Sequence, residues 1–385
     1  MNELRAILDE LAEPREPDDP AILATVVRVV GSAYRGVGAR RLVGPDGAGI
    51  GLVSGGCLEA DVARQAWRLT AGGDAAVIRY DSADPGGDWS FGLGCRGVID
   101  ILVERVAGPR PPAWADFLRD RLDRHEPAAL ARVLRVGAGD GRARVGSALA
   151  LAGDGAFAHD LPAPGLVEAV VDAVRAALAA GRSGHVDLPG PGGGVALVVE
   201  VVEPPPTLIV CGAGPDALPL VRLANELGWT VAVVEGRNRP ATRVRFANAA
   251  EVATLADADR VRALAARPRA AAVIMTHNVV EDGKFLELLL SSDADYVGLL
   301  GPRHRASRLL EGLAPLDDRD RDRLHAPVGL DLGAETPAEI ALAILAEVQA
   351  VLAGRAGGSL RDHDRPIHDR PGALRADLVP AGGPG

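Results

Sequence analysis

TLIVCGAGPDA, residues 207–217, predicts the architecture of the second half of this 385-residue chain. An apolar run of strand length leads into Gly212 and Gly214, and Ala217 stands where a dinucleotide-binding turn carries a third glycine or an alanine. A helical pattern follows, and Glu235 ends the next apolar strand. A strand, a glycine turn, a helix and a second strand in this order predict a Rossmann-like unit with a parallel sheet.

The same residues leave two interpretations of this unit open. Gly212 and Gly214 would let a pyrophosphate approach the backbone, and Glu235 stands where an acid meets a ribose hydroxyl. Asp216 lies in the first helical turn, where its charge would repel that pyrophosphate. The unit therefore either binds a dinucleotide or is a Rossmann scaffold that packs but binds something else, or nothing. Arg303 is a further candidate because it follows a strand, and ligands of parallel sheets bind at the carboxyl ends of strands.

Sequence features on either side mark the limits of the Rossmann-like unit. Alternating strands and helices continue to residue 354, so we expect an α/β domain over 207–354. Three consecutive prolines, 204–206, predict a short stiff linker before it. Residues 355–385 combine glycine, proline and alternating charge without periodicity, which is typical of a disordered tail. Thr336 and Glu339 form a capping-box pattern that predicts the start of the last helix.

Residues 1–203 follow a different pattern, in which strand-like runs outnumber helical ones. We therefore expect an N-terminal mixed α+β domain. The segment AGPRPPAW interrupts the pattern near residue 107 and predicts a division into two lobes. No internal repeat is visible in the sequence.

A glycine-rich stretch of this domain, SGGCLEAD at 54–61, places a thiol at the start of a helical pattern. Gly55 and Gly56 would allow a ligand to approach the backbone, and a helix N-terminus lowers the pKa of a thiol such as that of Cys57. The acidic residues that follow, Glu59 first, oppose this effect. Cys57 is therefore either a ligand-binding thiol or a small buried residue in a tight turn.

Cys95 lies in a second glycine-rich stretch, FGLGCRG. Two glycine-flanked cysteines in one domain predict a shared pocket in which Cys57 and Cys95 ligate a soft metal or handle sulfur, although a packing role is the alternative for each. The third cysteine, Cys211, lies inside an apolar strand and is expected to belong to the core.

The composition argues against several classes of protein. A formal net charge of −10 disfavours binding to nucleic acid or anionic lipid. Three cysteines without a C-x-x-C motif argue against a disulfide framework and a structural zinc site. No apolar run approaches the roughly 18–20 residues of a membrane span, and the acidic N-terminal stretch is unlike a signal peptide. We therefore expect a cytoplasmic protein.

Taken together, these stretches resemble the XdhC/CoxI family. The motifs are VVRVVGSAYRGVGARRLV, GLVSGGCLEADV and FGLGCRGVIDILVE in the first half, and IVCGAG, YVGLLGPRHR and HAPVGLDLGAETPAEIALAILAEV in the second. The resemblance covers about residues 20–105 and 207–353. It implies a non-catalytic accessory protein that binds the molybdenum cofactor (molybdopterin) and protects it while a cysteine desulfurase supports its sulfuration. Such a protein then helps insert the cofactor into an apo molybdenum hydroxylase of the xanthine dehydrogenase or carbon monoxide dehydrogenase type.

Carried over by position, the resemblance makes Cys57 and Cys95 the family's two glycine-flanked cysteines, and Glu59 the acid that follows the first; all three are candidate cofactor-binding residues. Both cysteines are thereby candidate molybdenum ligands. Gly212 and Gly214 match the family's Rossmann turn. The chain departs from the family pattern at four positions. It has Pro215 where histidine is usual and Pro302 where serine is usual. It has Arg96 where glycine is usual and Glu235 where aspartate is usual.

Three functions are compatible with these features. The leading one is a chaperone that loads the molybdenum cofactor. The second is an NAD(P)-dependent oxidoreductase, for which the Rossmann turn and Glu235 speak and in which His277 could act as acid or base. The third is a scaffold that bridges desulfurase and apoenzyme without holding the cofactor. We further expect a homodimer.

Overall fold

The computed structural model describes residues 2–16, 19–31, 33–81, 97–236, 240–313 and 315–362. Cys95 and the part of the predicted tail from 363 onwards lie outside these ranges. The chain divides into two compact units, with the boundary between Glu203 and Pro204. In the ranges given, no helix is long and apolar enough to cross a membrane.

The N-terminal unit contains two five-stranded antiparallel sheets, with strand orders β3-β2-β1-β5-β4 and β8-β7-β6-β10-β9. The elements of the first half are α1 (Asn2–Ala12), β1 (Ala21–Gly31), β2 (Arg40–Val43), β3 (Gly49–Gly51), α2 (Glu59–Leu69), β4 (Ala76–Asp81) and β5 (Gly97–Val106). Those of the second half are α3 (Ala113–Asp123), β6 (Ala128–Val136), β7 (Ala148–Ala152), β8 (Phe157–His159), α4 (Pro164–Ala180), β9 (Gly184–Leu188) and β10 (Val195–Val202). The predicted mixed α+β architecture is confirmed.

The two halves of this unit are copies of one topology. Each runs helix, three strands, helix, two strands, and each places its first strand at the centre of its sheet, beside its last. The pairing of these strands also repeats, with Ala21 opposite Val106 and Ala128 opposite Val202. A β-bulge interrupts the first strand at the same place, six residues after Ala21 in one half and six after Ala128 in the other.

The β2–β3 and β7–β8 hairpins repeat the same turn chemistry. In GPDGA, residues 44–48, the Ala48 amide donates to Asp46 Oδ1 at 3.0 Å; in GDGA, residues 153–156, the Ala156 amide donates to Asp154 Oδ1 at 2.9 Å. The sequence-based view that the chain has no internal repeat is therefore wrong. The repeat is not visible in the sequence because it consists of a shared topology, strand register and turn geometry, while most side chains differ between the two halves.

Each half contributes a glutamate to an ion pair with the other half. Glu104 on β5 and Glu200 on β10 occupy equivalent positions, opposite Leu23 and Leu130 respectively. The Arg40 guanidinium donates to both carboxylate oxygens of Glu200, at 3.0 and 2.6 Å. Arg132 donates across the same interface to one carboxylate oxygen of Glu104, Oε1.

Apolar residues from both halves also pack together. One buried cluster combines side chains of the first half with side chains of the second, including Leu23, Leu42, Trp114, Leu130 and Val202. The two halves therefore share a core, although their sheets are built from separate stretches of sequence on either side of residue 107.

The C-terminal unit is a six-stranded parallel sheet with the order β13-β12-β11-β14-β15-β16. Its elements are β11 (Thr207–Cys211), α5 (Ala217–Glu226), β12 (Thr230–Glu235), α6 (Pro240–Arg245), β13 (Glu251–Thr254), α7 (Ala258–Ala265), β14 (Ala270–Ile274), α8 (Val279–Leu290), β15 (Tyr296–Leu299), α9 (Arg303–Glu311), α10 (Asp318–Arg323), β16 (Leu324–His325) and α11 (Pro337–Leu352). Helices α5 and α11 pack on one face, and α7 and α8 on the other. This is the Rossmann strand order, which confirms the prediction from the glycine turn.

The start of α11 follows the capping pattern seen in the sequence. The Thr336 hydroxyl accepts a hydrogen bond from the Glu339 amide, and the Glu339 carboxylate accepts one from the Thr336 amide. This reciprocal arrangement pairs amides that the first turn would leave without partners. It fixes the residue at which α11 begins.

Candidate functional site

The first candidate site is the thiol loop, residues 52–58, which joins β3 to α2. Its interior is organised by Ser54, which is buried, and by the Glu59 carboxylate. Glu59 Oε1 accepts from the Ser54 amide at 2.8 Å, and Oε2 accepts from the Ser54 hydroxyl at 2.5 Å. Ser54 Oγ in turn accepts from the amides of Gly56 and Leu58 at 3.2 and 3.1 Å. The chain between Ser54 and Leu58 is thereby bent outwards.

The outward bend exposes Gly55, Gly56 and Cys57 together. Cys57 Sγ lies 3.6 Å from Ser54 Oγ. The amides of Gly55 and Cys57 donate to no acceptor among the residues that the structure describes. The loop thus presents a thiol and two N–H donors on one surface, an arrangement suited to an anion with a soft centre.

Tyr34 completes this surface, and reasoning from the sequence missed it. A Cβ atom on Gly55 would lie 3.5 Å from the Tyr34 ring, so the ring lies beside the glycine, and Tyr34 itself is 67% exposed. Aromatic residues are only 3% of the chain, so an exposed tyrosine beside a glycine loop is unusual. Its rarity is the feature that could have indicated Tyr34 as a site residue.

Glu59, carried over from the family as a cofactor-binding residue, faces the inside of the loop. It is 8% exposed, and its carboxylate is engaged by the loop's own donors. Burial raises the pKa of Glu59, but the Ser54 hydroxyl and the amides of Ser54, Glu59 and Leu58 outweigh burial and hold the pKa below its usual value. The geometry makes Glu59 a residue that positions the loop.

Glu59→Gln is expected to destabilise the N-terminal unit at pH 7 by about 1.5–3 kcal/mol, the range for hydrogen bonds to a charged group. Because the pKa of Glu59 is lowered by folding, its contribution is present above the unfolded-state pKa and disappears as the pH falls through the folded-state pKa. Denaturant unfolding at pH 7 and under acid conditions measures the difference. Glu168→Gln, an exposed carboxylate on α4, is the control; an equal loss at both pH values would contradict the prediction.

The duplicated half shows that the fold does not require the thiol loop. Its equivalent, between β8 and α4, is the shorter segment DLPA at 160–163, which has neither glycine nor cysteine. The same strand-to-helix connection is therefore made without a thiol. The glycines and Cys57 are an addition to the fold, which favours a binding role over a packing role.

Cys95, the proposed partner of Cys57, lies outside the described residues. Cys211 is fully buried in β11, as expected of a core residue, and burial and the nearby Asp282 charge raise the pKa of its thiol. Among the described residues, no group of three or more histidine, cysteine, aspartate or glutamate side chains is arranged to hold a metal ion.

The second candidate site is the crevice where the strand order of the Rossmann unit reverses, between β11 and β14. Gly212, with φ at +131°, follows β11, and a Cβ atom there would lie 2.6 Å from the Met275 carbonyl oxygen. Gly214 lies under Asp216, because a Cβ atom on Gly214 would collide with Asp216 Oδ1. The His277 ring joins the two loops, with Nε2 2.8 Å from Asp216 Oδ2. A carboxylate therefore covers the glycine turn.

The structure places the other predicted residues of the Rossmann site as follows. Glu235 ends β12, is 6% exposed and accepts a hydrogen bond from the Thr242 hydroxyl at 2.7 Å. Arg303 is exposed at the first position of α9. Arg305, two residues further on, pairs with the buried Asp282.

Beside the Asp216–His277 pair lies the switch-point pocket, a cavity of about 190 Å³. Its apolar lining consists of Leu220, Met275, Leu300, Pro337, Ile340, Ala341 and Ile344. Its polar lining consists of Asp216, His277 and Glu335. The sequence had indicated the strand end but not the pocket, because α11 supplies much of its wall.

Comparison with known proteins identifies both parts of the chain. A family model described as the XdhC Rossmann domain matches residues 208–348, and one described as the XdhC and CoxI family matches residues 15–81. A protein of Bacillus subtilis (strain 168), described as a probable xanthine dehydrogenase subunit, is 33% identical over 352 residues, covering 90% of this chain and 97% of that protein.

Two further similarities involve a chaperone and a solved structure. The molybdenum cofactor insertion chaperone PaoD of Escherichia coli (strain K12) is 32% identical over 126 residues, which are 33% of this chain and 38% of PaoD. The crystal structure of a xanthine dehydrogenase from Bacillus halodurans matches with a TM-score of 0.71 and 28% identity, covering 93% of this chain and 98% of that one.

Proposed function

This chain belongs to the XdhC and CoxI family, and we propose that it is an accessory chaperone that binds the molybdenum cofactor as its cargo. It supports sulfuration of the cofactor and inserts it into a molybdenum hydroxylase of the xanthine dehydrogenase or carbon monoxide dehydrogenase type. The names of two relatives, a molybdenum cofactor insertion chaperone and a probable xanthine dehydrogenase subunit, support this proposal.

The observation that carries the proposal is the exposed thiol loop. The cargo combines a soft metal–sulfur centre with an anionic phosphate. The loop offers a metal ligand for the first and hydrogen-bond donors for the second. A cysteine sulfur suits the soft centre, and the amides of Gly55 and Cys57 suit an anion. The exposed Tyr34 ring adds an aromatic face to the same surface. Cys95 is proposed as the second sulfur ligand.

The Rossmann unit is the basis of a second candidate function, an NAD(P)-dependent oxidoreductase, because its strand order is that of dinucleotide-binding enzymes. The Asp216 carboxylate over Gly214 argues against it, since a pyrophosphate would meet a negative charge where it needs backbone N–H groups. We therefore place the chaperone first.

The proposal includes the partners that such a pathway requires. An apo molybdenum hydroxylase receives the cargo, and a cysteine desulfurase supplies the sulfur. We propose that the chaperone acts as a homodimer in the cytoplasm. Membership of the family supports a molybdenum hydroxylase as partner; the desulfurase, the homodimer and the location are proposed with it.

Anaerobic equilibrium binding of isolated molybdenum cofactor to the full chain, with NADH as a competitor, tests the proposal. We expect Cys57→Ser to weaken cofactor binding at least about tenfold, the effect of removing one strong contact. Cys57→Ser/Cys95→Ser should bind no more tightly than the single variant. Cys211→Ala is the matched control, since it removes a thiol that is fully buried.

Unchanged cofactor binding in the double cysteine variant would contradict a role for the thiol loop. Absence of cofactor binding, together with saturable NADH binding that Gly214→Val abolishes, would support the oxidoreductase. Complex formation with desulfurase and apoenzyme that survives without any cofactor binding would support a bridging scaffold.

A further inference from the structure

The switch-point pocket has a lining that separates into an apolar interior and an acidic mouth. Leu220, Met275 and Ile344 are buried and form its inner wall. Asp216 and Glu335 lie at its opening, where Glu335 is exposed and the Asp216 side chain is 24% exposed. An apolar wall with a few polar groups at one end is typical of a site for a small organic ligand.

The size of the pocket limits what can enter. Sites that enclose drug-sized ligands have volumes of roughly 300–1,000 Å³, whereas this cavity measures about 190 Å³. A single fused ring system can be accommodated, but a whole dinucleotide cannot. The pocket therefore selects one part of a larger molecule or a small heterocycle.

The acids at the mouth of the pocket favour hydrogen-bond donors, whereas the Arg245 guanidinium lies on the glycine turn, where it donates to the Ala213 carbonyl at 2.8 Å. Besides Asp216 and Glu335, Glu281 reaches the strand end after β12, where a Cβ atom on Gly236 would lie 2.6 Å from its carboxylate. An ionised carboxylate only accepts hydrogen bonds. A ligand edge with two adjacent N–H donors matches the two oxygens of a carboxylate, as a guanidinium does.

His277 holds this acceptor in place. Its Nε2 lies 2.8 Å from Asp216 Oδ2, and its backbone φ of +61° is in the left-handed region that non-glycine residues rarely adopt. Such conformations persist where the surrounding structure maintains them, and they concentrate at ligand sites. His277 is thus a positioning residue for the Asp216 carboxylate.

We propose that the switch-point pocket binds the 2-amino-4-oxopyrimidine edge of a fused heterocycle, the edge that pterin and guanine share, through the carboxylates of Asp216 and Glu335. The 2-amino group and the adjacent ring N–H donate to these oxygens, and the ring packs on Met275 and Ile344. Adenine lacks this pair of adjacent donors. The choice of pterin as the natural ligand rests on the proposed function, since the molybdenum cofactor carries a pterin.

Binding of metal-free probes to the full chain tests this inference without involving the thiol loop. The probes are 6-hydroxymethylpterin, guanosine, adenosine and NADH, measured by calorimetry and by pterin fluorescence. We expect the pterin to bind, adenosine to bind at least about tenfold more weakly, and Asp216→Asn to weaken pterin binding about 10- to 100-fold. Asp331→Asn, an exposed acid in the loop before α11 that does not line the pocket, should leave it unchanged.

Preference for guanosine over the pterin would assign the pocket to a guanine nucleotide instead. Equal binding of adenosine and pterin, or equal pterin affinity in Asp216→Asn and the unaltered chain, would overturn the inference. The thermal midpoint of Asp216→Asn verifies that this variant is folded.

The same variants separate this inference from the proposed function. Cofactor binding that depends on Cys57 but not on Asp216, with no pterin binding, overturns the pocket assignment and leaves the chaperone intact. Pterin binding that depends on Asp216, without binding of the whole cofactor, supports the pocket and contradicts the chaperone.

Discussion

Replacing Gly212 with alanine is expected to destabilise the C-terminal unit by roughly 2–6 kcal/mol. The φ of +131° is one that L-residues rarely adopt, and enforcing such a conformation costs about 1–3 kcal/mol. A Cβ atom would also lie 2.6 Å from the Met275 carbonyl oxygen and 2.8 Å from its carbon. Because these are backbone atoms of the loop after β14, they cannot rotate away, and overpacking of this kind adds about 1–3 kcal/mol.

Gly214→Ala is the matched control for this prediction. Its Cβ atom would collide with Asp216 Oδ1, which belongs to a side chain and can move, so we expect a loss of about 1 kcal/mol, typical of point substitutions. Hydrogen exchange of peptides from β11 and β14 measures the stability of the C-terminal unit, and peptides from β6 report the N-terminal unit for comparison. Equal losses for the two variants would mean that contact between the two loops is not what requires a glycine at 212.

Arg40→Met is expected to destabilise the N-terminal unit by about 3–5 kcal/mol, the cost of leaving a buried partner charge uncompensated. The Arg40 side chain is 2% exposed and that of Glu200 is 17% exposed, so solvent replaces little of what is lost. Arg40 Nη1 also donates to the Gly38 carbonyl at 2.8 Å. Both halves of the duplicated unit depend on this contact.

Arg40→Met/Glu200→Met should recover most of that loss, because a buried ion pair exchanged for apolar residues is often neutral in stability. Urea unfolding of the four proteins of the cycle measures the coupling. If Glu200→Met and Arg40→Met were additive, the pair would not act as a unit. The reciprocal pair, Arg132 on β6 with Glu104 on β5, provides a second cycle on the same interface.

Local patterns in the sequence sufficed to predict the fold of the Rossmann unit. The glycine turn at 212–214 and the alternation of strands and helices predicted its sheet, and the capping box at Thr336 predicted the start of α11. These features are short-range, since a cap or a glycine turn is decided by residues within one helical turn of each other.

The sequence pointed to the glycines and the cysteine of the thiol loop, but not to the hydrogen bonds inside it. Glu59 was interpreted as a ligand-binding acid, whereas its hydrogen bonds to Ser54 turn it inwards. Tyr34 was not singled out, because it follows a different strand and meets Gly55 only in three dimensions. Spacing along the chain does not reveal such neighbours.

The duplication of the N-terminal unit and the switch-point pocket depend on contacts between residues far apart in the sequence. Arg40 meets Glu200, and Asp216 meets His277, across separations that no local pattern encodes. Backbone propensity and hydrophobic periodicity specify which segments become strands and helices. Which charges are buried against each other, and which carboxylate covers a glycine turn, follows from how those segments pack, because packing sets the distances on which ion pairs and cavities depend.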